Sequence, residues 1–120
     1  MAETALTIPS ELGRITIAPE AIAQIVGHTA AECYGVVDMG GRRRVPRVLA
    51  RGGGRVTQGI EVDARDDGLA IDLHVVLEYG LNLAEVAATI RSRVAYEVGR
   101  LTGLRVAAVE VHIEDVRRTA

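Results

Sequence analysis

The stretch that decides the fold is Leu69-Ala-Ile-Asp-Leu-His-Val-Val-Leu-Glu-Tyr79, in which apolar and polar residues largely alternate. Alternation of this kind predicts a β-strand with one buried and one solvated face. Residues 59–64 alternate as well, and the Arg-Asp-Asp-Gly between the two runs is typical of a hairpin turn, because glycine accepts a positive φ. The hairpin would bury six residues of its second strand: Leu69, Ile71, Leu73, Val75, Leu77 and Tyr79.

A long helix is predicted directly after this hairpin. Asn82 followed by Glu85 is typical of a helix N-terminus, and Gly103 is suited to end the helix. Residues 106–116 alternate again and predict a final strand. Between Asn82 and Gly103, apolar residues at helical spacing predict a buried stripe: Leu83, Val86, Ala87, Ile90, Val94, Val98 and Leu101.

The N-terminal third predicts shorter elements of the same kinds. Residues 14–17 are typical of a short strand, and Pro19 suits the first position of a helix that ends before Gly35. Residues 35–39 indicate a second short strand. Residues 1–12, which contain Pro9, predict a flexible N-terminal arm without regular structure.

Together these elements predict an α+β fold built as a two-layer sandwich. A small mixed or antiparallel sheet would carry two main helices on one face and leave a polar face open. A chain of 120 residues is one domain in size. We therefore predict one domain over residues 13–120, preceded by the arm, with residues 40–58 forming a basic, mobile insertion.

Charge is distributed unevenly along the chain. Residues 1–41 hold five acidic residues and one arginine, and residues 56–120 hold eleven acidic residues and seven arginines, so each stretch has a net charge of −4. Residues 42–55 hold six arginines and no acidic residue. This basic segment is the main candidate for partner binding, and its arginines are Arg42, Arg43, Arg44, Arg47, Arg51 and Arg55.

Composition excludes several classes of protein. Cys33 is the single cysteine, which excludes a disulfide scaffold, and the chain has no apolar run of the roughly 20 residues that a membrane-spanning helix needs. The N-terminus has no signal-peptide pattern, which predicts a cytoplasmic protein. Phe and Trp are absent, so few aromatic side chains can stack on nucleic-acid bases.

Several segments, in this order, resemble the alkaline shock protein family, the Gls-type envelope stress response proteins of Gram-positive bacteria. The resemblance implies a protein without enzymatic activity, catalytic residues or cofactor. It also implies a cytoplasmic homo-oligomer held at the inner face of the cell membrane by a small membrane-anchored partner. The segments are Gly13-Arg-Ile-Thr-Ile-Ala-Pro-Glu-Ala-Ile-Ala23, Tyr34-Gly-Val-Val-Asp-Met-Gly40, Gly59-Ile-Glu-Val62, Ile71-Asp-Leu-His-Val-Val-Leu-Glu-Tyr-Gly80, Asn82-Leu-Ala-Glu-Val-Ala87, Thr102-Gly-Leu-Arg-Val106 and Val109-Glu-Val-His-Ile113.

Two histidines are the candidates for metal binding. If their strands are neighbours, His74 and His112 would share the polar sheet face with Asp72, Glu110 and Glu114. The simpler interpretation is a solvated polar face, which antiparallel sheets commonly have, and we expect no metal. Cys33 falls in the buried stripe of the first helix, where a thiol behaves as a small apolar group.

The basic segment leaves three hypotheses open: a solvated loop, a site for a protein partner or acidic lipid headgroups, and a nucleic-acid site. The acidic remainder of the chain disfavours nucleic acid. Six arginines on phosphates would give a slope of log affinity against log salt of about −4 to −5. We expect a self-associating scaffold or adaptor, in which the basic segment of one copy contacts the acidic sheet face of another: Glu61, Asp63, Asp72, Glu78, Glu110 and Glu114.

Overall fold

Helices and strands occupy most of residues 6–40 and 58–118, the part of the chain that the computed structural model describes. Two short strands and a helix come first, two more strands form a hairpin in the middle, and a long helix precedes the final strand. In chain order the elements are β1 (Thr7–Ser10), β2 (Gly13–Thr16), α1 (Pro19–Glu32), β3 (Val36–Met39), β4 (Ile60–Arg65), β5 (Gly68–Glu78), α2 (Leu83–Thr102) and β6 (Val106–Arg117).

β5, which contains the alternating residues 69–78, is the central strand of the main sheet. β3 and β4 pair with it antiparallel, whereas β6 pairs with it parallel along its other edge. The sequence predicted a mixed or antiparallel sheet, and the sheet is mixed. The register places Asp72 opposite both Glu61 and Glu110, and it places His74 opposite His112.

β3 and β4 lie end to end along the same edge of β5. The amide of Gly40 donates to the carbonyl of His74 (2.8 Å), and the amide of His74 donates to the carbonyl of Gly59 (2.9 Å). Gly59 has a φ of 76°, and a Cβ there would collide with the Gly40 carbonyl. Gly40 and Gly59 thus lie next to each other, both hydrogen-bonded to the backbone of His74.

The core lies between one face of the sheet and the two helices. Alternate residues of β5 are buried there, and the helices contribute apolar side chains at helical spacing. Each large side chain of this kind contributes about 1.5–3 kcal/mol through burial. The largest completely or almost completely buried side chains are those of Ile22, Val26, Leu69, Ile71, Leu73, Val75, Leu77, Ile90, Val94 and Val98. The predicted α+β fold with two helices on one sheet face is confirmed.

The boundaries of α2 also match the sequence prediction. Oδ1 of Asn82 accepts a hydrogen bond from the amide of Glu85 (3.1 Å), which satisfies a free donor at the helix N-terminus. Gly103 adopts a left-handed φ of 76°, and its amide donates to the carbonyl of Gly99 (2.9 Å). The helix therefore starts and stops where its capping residues predict.

The prediction of an arm without regular structure over residues 1–12 is wrong for Thr7–Ser10. These residues form β1 and pair with β2, and the preceding Leu6 is buried in the core. Pro9 is tolerated because an edge strand has amides that need no partner within the sheet. Residues 1–5 lie outside the described part of the chain.

Two apolar residues assigned to the core are exposed instead. Tyr79 is 57% exposed because β5 ends one residue earlier, at Glu78. Leu101 is 54% exposed, and the buried Thr102 and Leu104 occupy that end of the core in its place. The hydroxyl of Thr102 donates to the carbonyl of Val98 (2.6 Å), which allows this polar side chain to be buried.

Candidate functional site

The sheet face turned away from the helices carries mostly acidic side chains. We call this the acidic face, and its residues are Glu61, Asp63, Asp72, Glu78, Glu110 and Glu114. Two arginines reduce its charge at the periphery: Arg65 lies 3.7 Å from Asp63, and Arg117 lies 3.3 Å from Asp38 on β3. The predicted polar face is therefore present and is predominantly negative.

A pair of stacked histidines lies at the centre of the acidic face. The rings of His74 and His112 are stacked with centroids 4.6 Å apart and planes inclined by 16°. The sequence placed both on one face only if their strands were neighbours, and the parallel register of β5 and β6 meets that condition. An imidazole nitrogen binds a metal in the plane of its own ring. Because the two ring planes are nearly parallel, the stacked imidazoles cannot both bind an ion placed between them.

His74 has a carboxylate neighbour that the sequence alone did not predict as its partner. Nδ1 of His74 is shielded from solvent and lies 2.7 Å from Oε2 of Glu114, with angles outside those of a hydrogen bond. The contact arises from a β-bulge in β6, where Val75 pairs with Ile113 but Val76 pairs with Asp115. Glu114 is the extra residue of the bulge, and bulges redirect side chains in this way.

His112 is grouped with two carboxylates rather than with the second imidazole. Nε2 of His112 lies 3.3 Å from Oδ1 of Asp72 and 3.8 Å from Oε1 of Glu110. The three atoms capable of binding a metal all lie within 4.8 Å of one another. In the structure, the candidate metal ligands are therefore Asp72, Glu110 and His112, not the predicted pair of His74 and His112.

The six arginines of the basic segment lie outside the described residues, so their role stays a prediction. The described chain shows only where the surrounding insertion joins the sheet, at Gly40 and Gly59 beside His74. A Cβ on Gly40 would approach Oε1 of Glu114 to 2.6 Å, so glycine leaves room for this carboxylate. The described residues that flank residues 41–57 therefore lie at the sheet edge, beside His74.

Cys33 is buried, as the sequence predicts, and its thiol donates to the carbonyl of Thr29 (3.4 Å). Burial raises the pKa of the Cys33 thiol, partly opposed by the nearby Arg93 and reinforced by Glu32. A raised pKa reduces the thiolate, which is the nucleophilic form. The described geometry therefore offers no support for Cys33 as a nucleophile.

Fold and site together define a small two-layer α+β domain whose distinguishing feature is a charged, open sheet face. The profile of the alkaline shock protein 23 family, described as having a cell envelope-related function, matches residues 7–118. The chain belongs to this family, and the resemblance to alkaline shock proteins is confirmed.

Similar proteins occur in two Gram-positive genera. The chain is 28% identical to the uncharacterized protein YloU of Bacillus subtilis (strain 168), over 95% of this chain and 97% of YloU. It is 32% identical to the uncharacterized protein YqhY of the same organism, over 90% of this chain and 80% of YqhY. It is 29% identical to the uncharacterized protein Spy1614 of Streptococcus pyogenes serotype M6, over 88% of each chain. No solved structure gives a significant match.

Neither described helix meets the length and hydropathy needed to cross a membrane.

Proposed function

We propose that this protein is a non-enzymatic, self-associating scaffold or adaptor that acts at the cell envelope. A small membrane-anchored protein would hold it at the inner face of the membrane. The envelope-related function of the alkaline shock protein family supports the location. The observation that supports self-association is the separation of charge in the sequence between the basic segment and the residues of the acidic face.

The contact between copies would be electrostatic. The basic segment holds six arginines and no acidic residue, whereas the acidic face of the described chain has far fewer bases than acids. Guanidinium groups form paired hydrogen bonds with carboxylates, which makes arginine well suited to such a contact. If one copy's basic segment binds the acidic face of the next, the contact is heterologous and propagates unless rotation closes it into a ring.

Replacement of Arg42, Arg43 and Arg44 by serine tests this contact. Sedimentation velocity should show a smaller assembly for the triple variant than for the unaltered protein at equal concentration. A matched variant would carry Arg14→Ser, Arg93→Ser and Arg100→Ser, which remove the same charge from exposed positions on β2 and α2. It should assemble normally, because these residues lie off the acidic face.

The acidic face provides the reciprocal test. Glu61→Gln with Glu110→Gln should reduce assembly as the arginine variant does, since both changes weaken the same contact. Equal assembly of all variants, or a monomeric unaltered protein at every concentration, would contradict the proposal. Binding of the basic segment to anionic vesicles without self-association would instead favour acidic lipid headgroups as its ligand.

A further inference from the structure

We propose that Asp72, Glu110 and His112 bind a divalent transition-metal cation of the Zn²⁺ type on the open sheet face. The site does not require self-association, because all three ligands belong to one copy and lie in the described part of the chain. Asp72 and Glu110 also belong to the acidic face, so a bound cation would compete with the basic segment of another copy for these carboxylates. The proposal rests on the distances between the three ligand atoms as well as on the types of side chain.

The distances suit one shared cation. Zinc lies about 2.0–2.2 Å from imidazole nitrogen and carboxylate oxygen, so two ligands in tetrahedral geometry are separated by about 3.4 Å. The separations from His112 Nε2 are 3.3 Å to Asp72 and 3.8 Å to Glu110. All three ligand atoms lie within 4.8 Å of one another, so a bound cation would require the exposed Glu110 side chain to rotate toward the other two ligands.

The backbone holds the set in place from two neighbouring strands. Asp72 is on β5, whereas Glu110 and His112 are two residues apart on β6 and therefore share its open face. The stacked ring of His74 restrains the orientation of the His112 ring at a centroid distance of 4.6 Å. His74 is thus a positioning residue, and its Nδ1 atom lies 2.7 Å from Oε2 of Glu114 rather than beside the three proposed ligands.

The donor set indicates the class of cation. One imidazole and two carboxylates suit zinc and related transition metals, whereas calcium and magnesium prefer shells made of oxygen atoms alone. Partial exposure of the three side chains leaves room for water to complete the coordination. The surrounding acidic face also favours cation binding through its negative potential.

Isothermal titration of the full chain with Zn²⁺ tests the site, and Co²⁺ absorbance reports its geometry. We expect saturation at one ion per chain, with the affinity lowered at least ~10-fold by His112→Ala and by Asp72→Asn. His74→Ala should perturb the Co²⁺ spectrum with a smaller loss of affinity. Mg²⁺ should not compete at equal concentration.

His28→Ala is the matched control, because His28 is the remaining histidine and lies exposed on α1. It should bind Zn²⁺ as the unaltered protein does. The Arg42, Arg43 and Arg44 variant should bind Zn²⁺ at least as tightly, because the basic segment of another copy would compete with the cation for Asp72 and Glu110. Circular dichroism of each metal-free variant would establish that it is folded. Undiminished binding in folded His112→Ala, or loss of binding in His28→Ala, would overturn the assignment.

Discussion

Two separate physical constraints favour glycine at position 59. The left-handed φ of 76° disfavours any side chain, and a Cβ would also collide with the Gly40 carbonyl. Gly103 has the same φ but open space around it, so it isolates the cost of the backbone conformation. We predict that Gly59→Ala lowers the free energy of unfolding by about 1–3 kcal/mol and more than Gly103→Ala does. Urea denaturation of both variants measures this, and equal losses would contradict the collision.

Cys33 gives a second prediction for a single residue. Because burial raises the pKa of its thiol, a thiol reagent should modify the native protein slowly at neutral pH and the urea-unfolded protein rapidly. The folded state holds this proton more tightly than the unfolded state. The stability from the protonated thiol is therefore complete below the unfolded pKa and is lost as pH rises through the folded pKa. Cys33→Ala should remove this loss of stability at alkaline pH. Fast labelling of the native protein would contradict the prediction, because it would show that the thiol is accessible.

Among the elements, α2 owes its first turn to Asn82, whose side chain satisfies the amide of Glu85. Asn82→Ala should lower the free energy of unfolding by about 1 kcal/mol, because that amide loses its hydrogen-bond partner. Ser92→Ala, at an exposed position within the same helix, is the control and should be neutral or slightly stabilising. Chemical denaturation compares the two. Equal stability of the Asn82 variant and the unaltered protein would show that the cap contributes nothing.

The elements also show which parts of the structure can be predicted from sequence. Periodicity and capping residues located both helices and the β4–β5 hairpin, because these features depend on local interactions. Local patterns do not encode strand order, so the parallel pairing of β6 and the bulge at Glu114 required the structure. Alternation correctly placed His74 and His112 on the polar face, but the grouping of His112 with Asp72 and Glu110 depends on the register between strands.

For the whole molecule, the separation of charge makes assembly sensitive to ionic strength. Exposed charges are screened over about 8 Å at physiological salt and over about 3 Å at 1 M salt. We predict that the assembly seen by sedimentation velocity dissociates as sodium chloride rises, while circular dichroism of the fold is unchanged. An apolar interface would respond in the opposite direction or not at all. Persistence of the full assembly at 1 M salt would therefore rule out an electrostatic contact.

As a whole, we propose, this domain is a scaffold held at the envelope by a membrane-anchored partner. Fractionation of cells that produce the protein, with and without nuclease, followed by crosslinking and mass spectrometry, tests it most directly. The proposal predicts recovery with membranes, insensitive to nuclease, together with crosslinks between copies and to one small membrane protein. Release by nuclease, or recovery in the soluble fraction without any crosslinked companion, would contradict it.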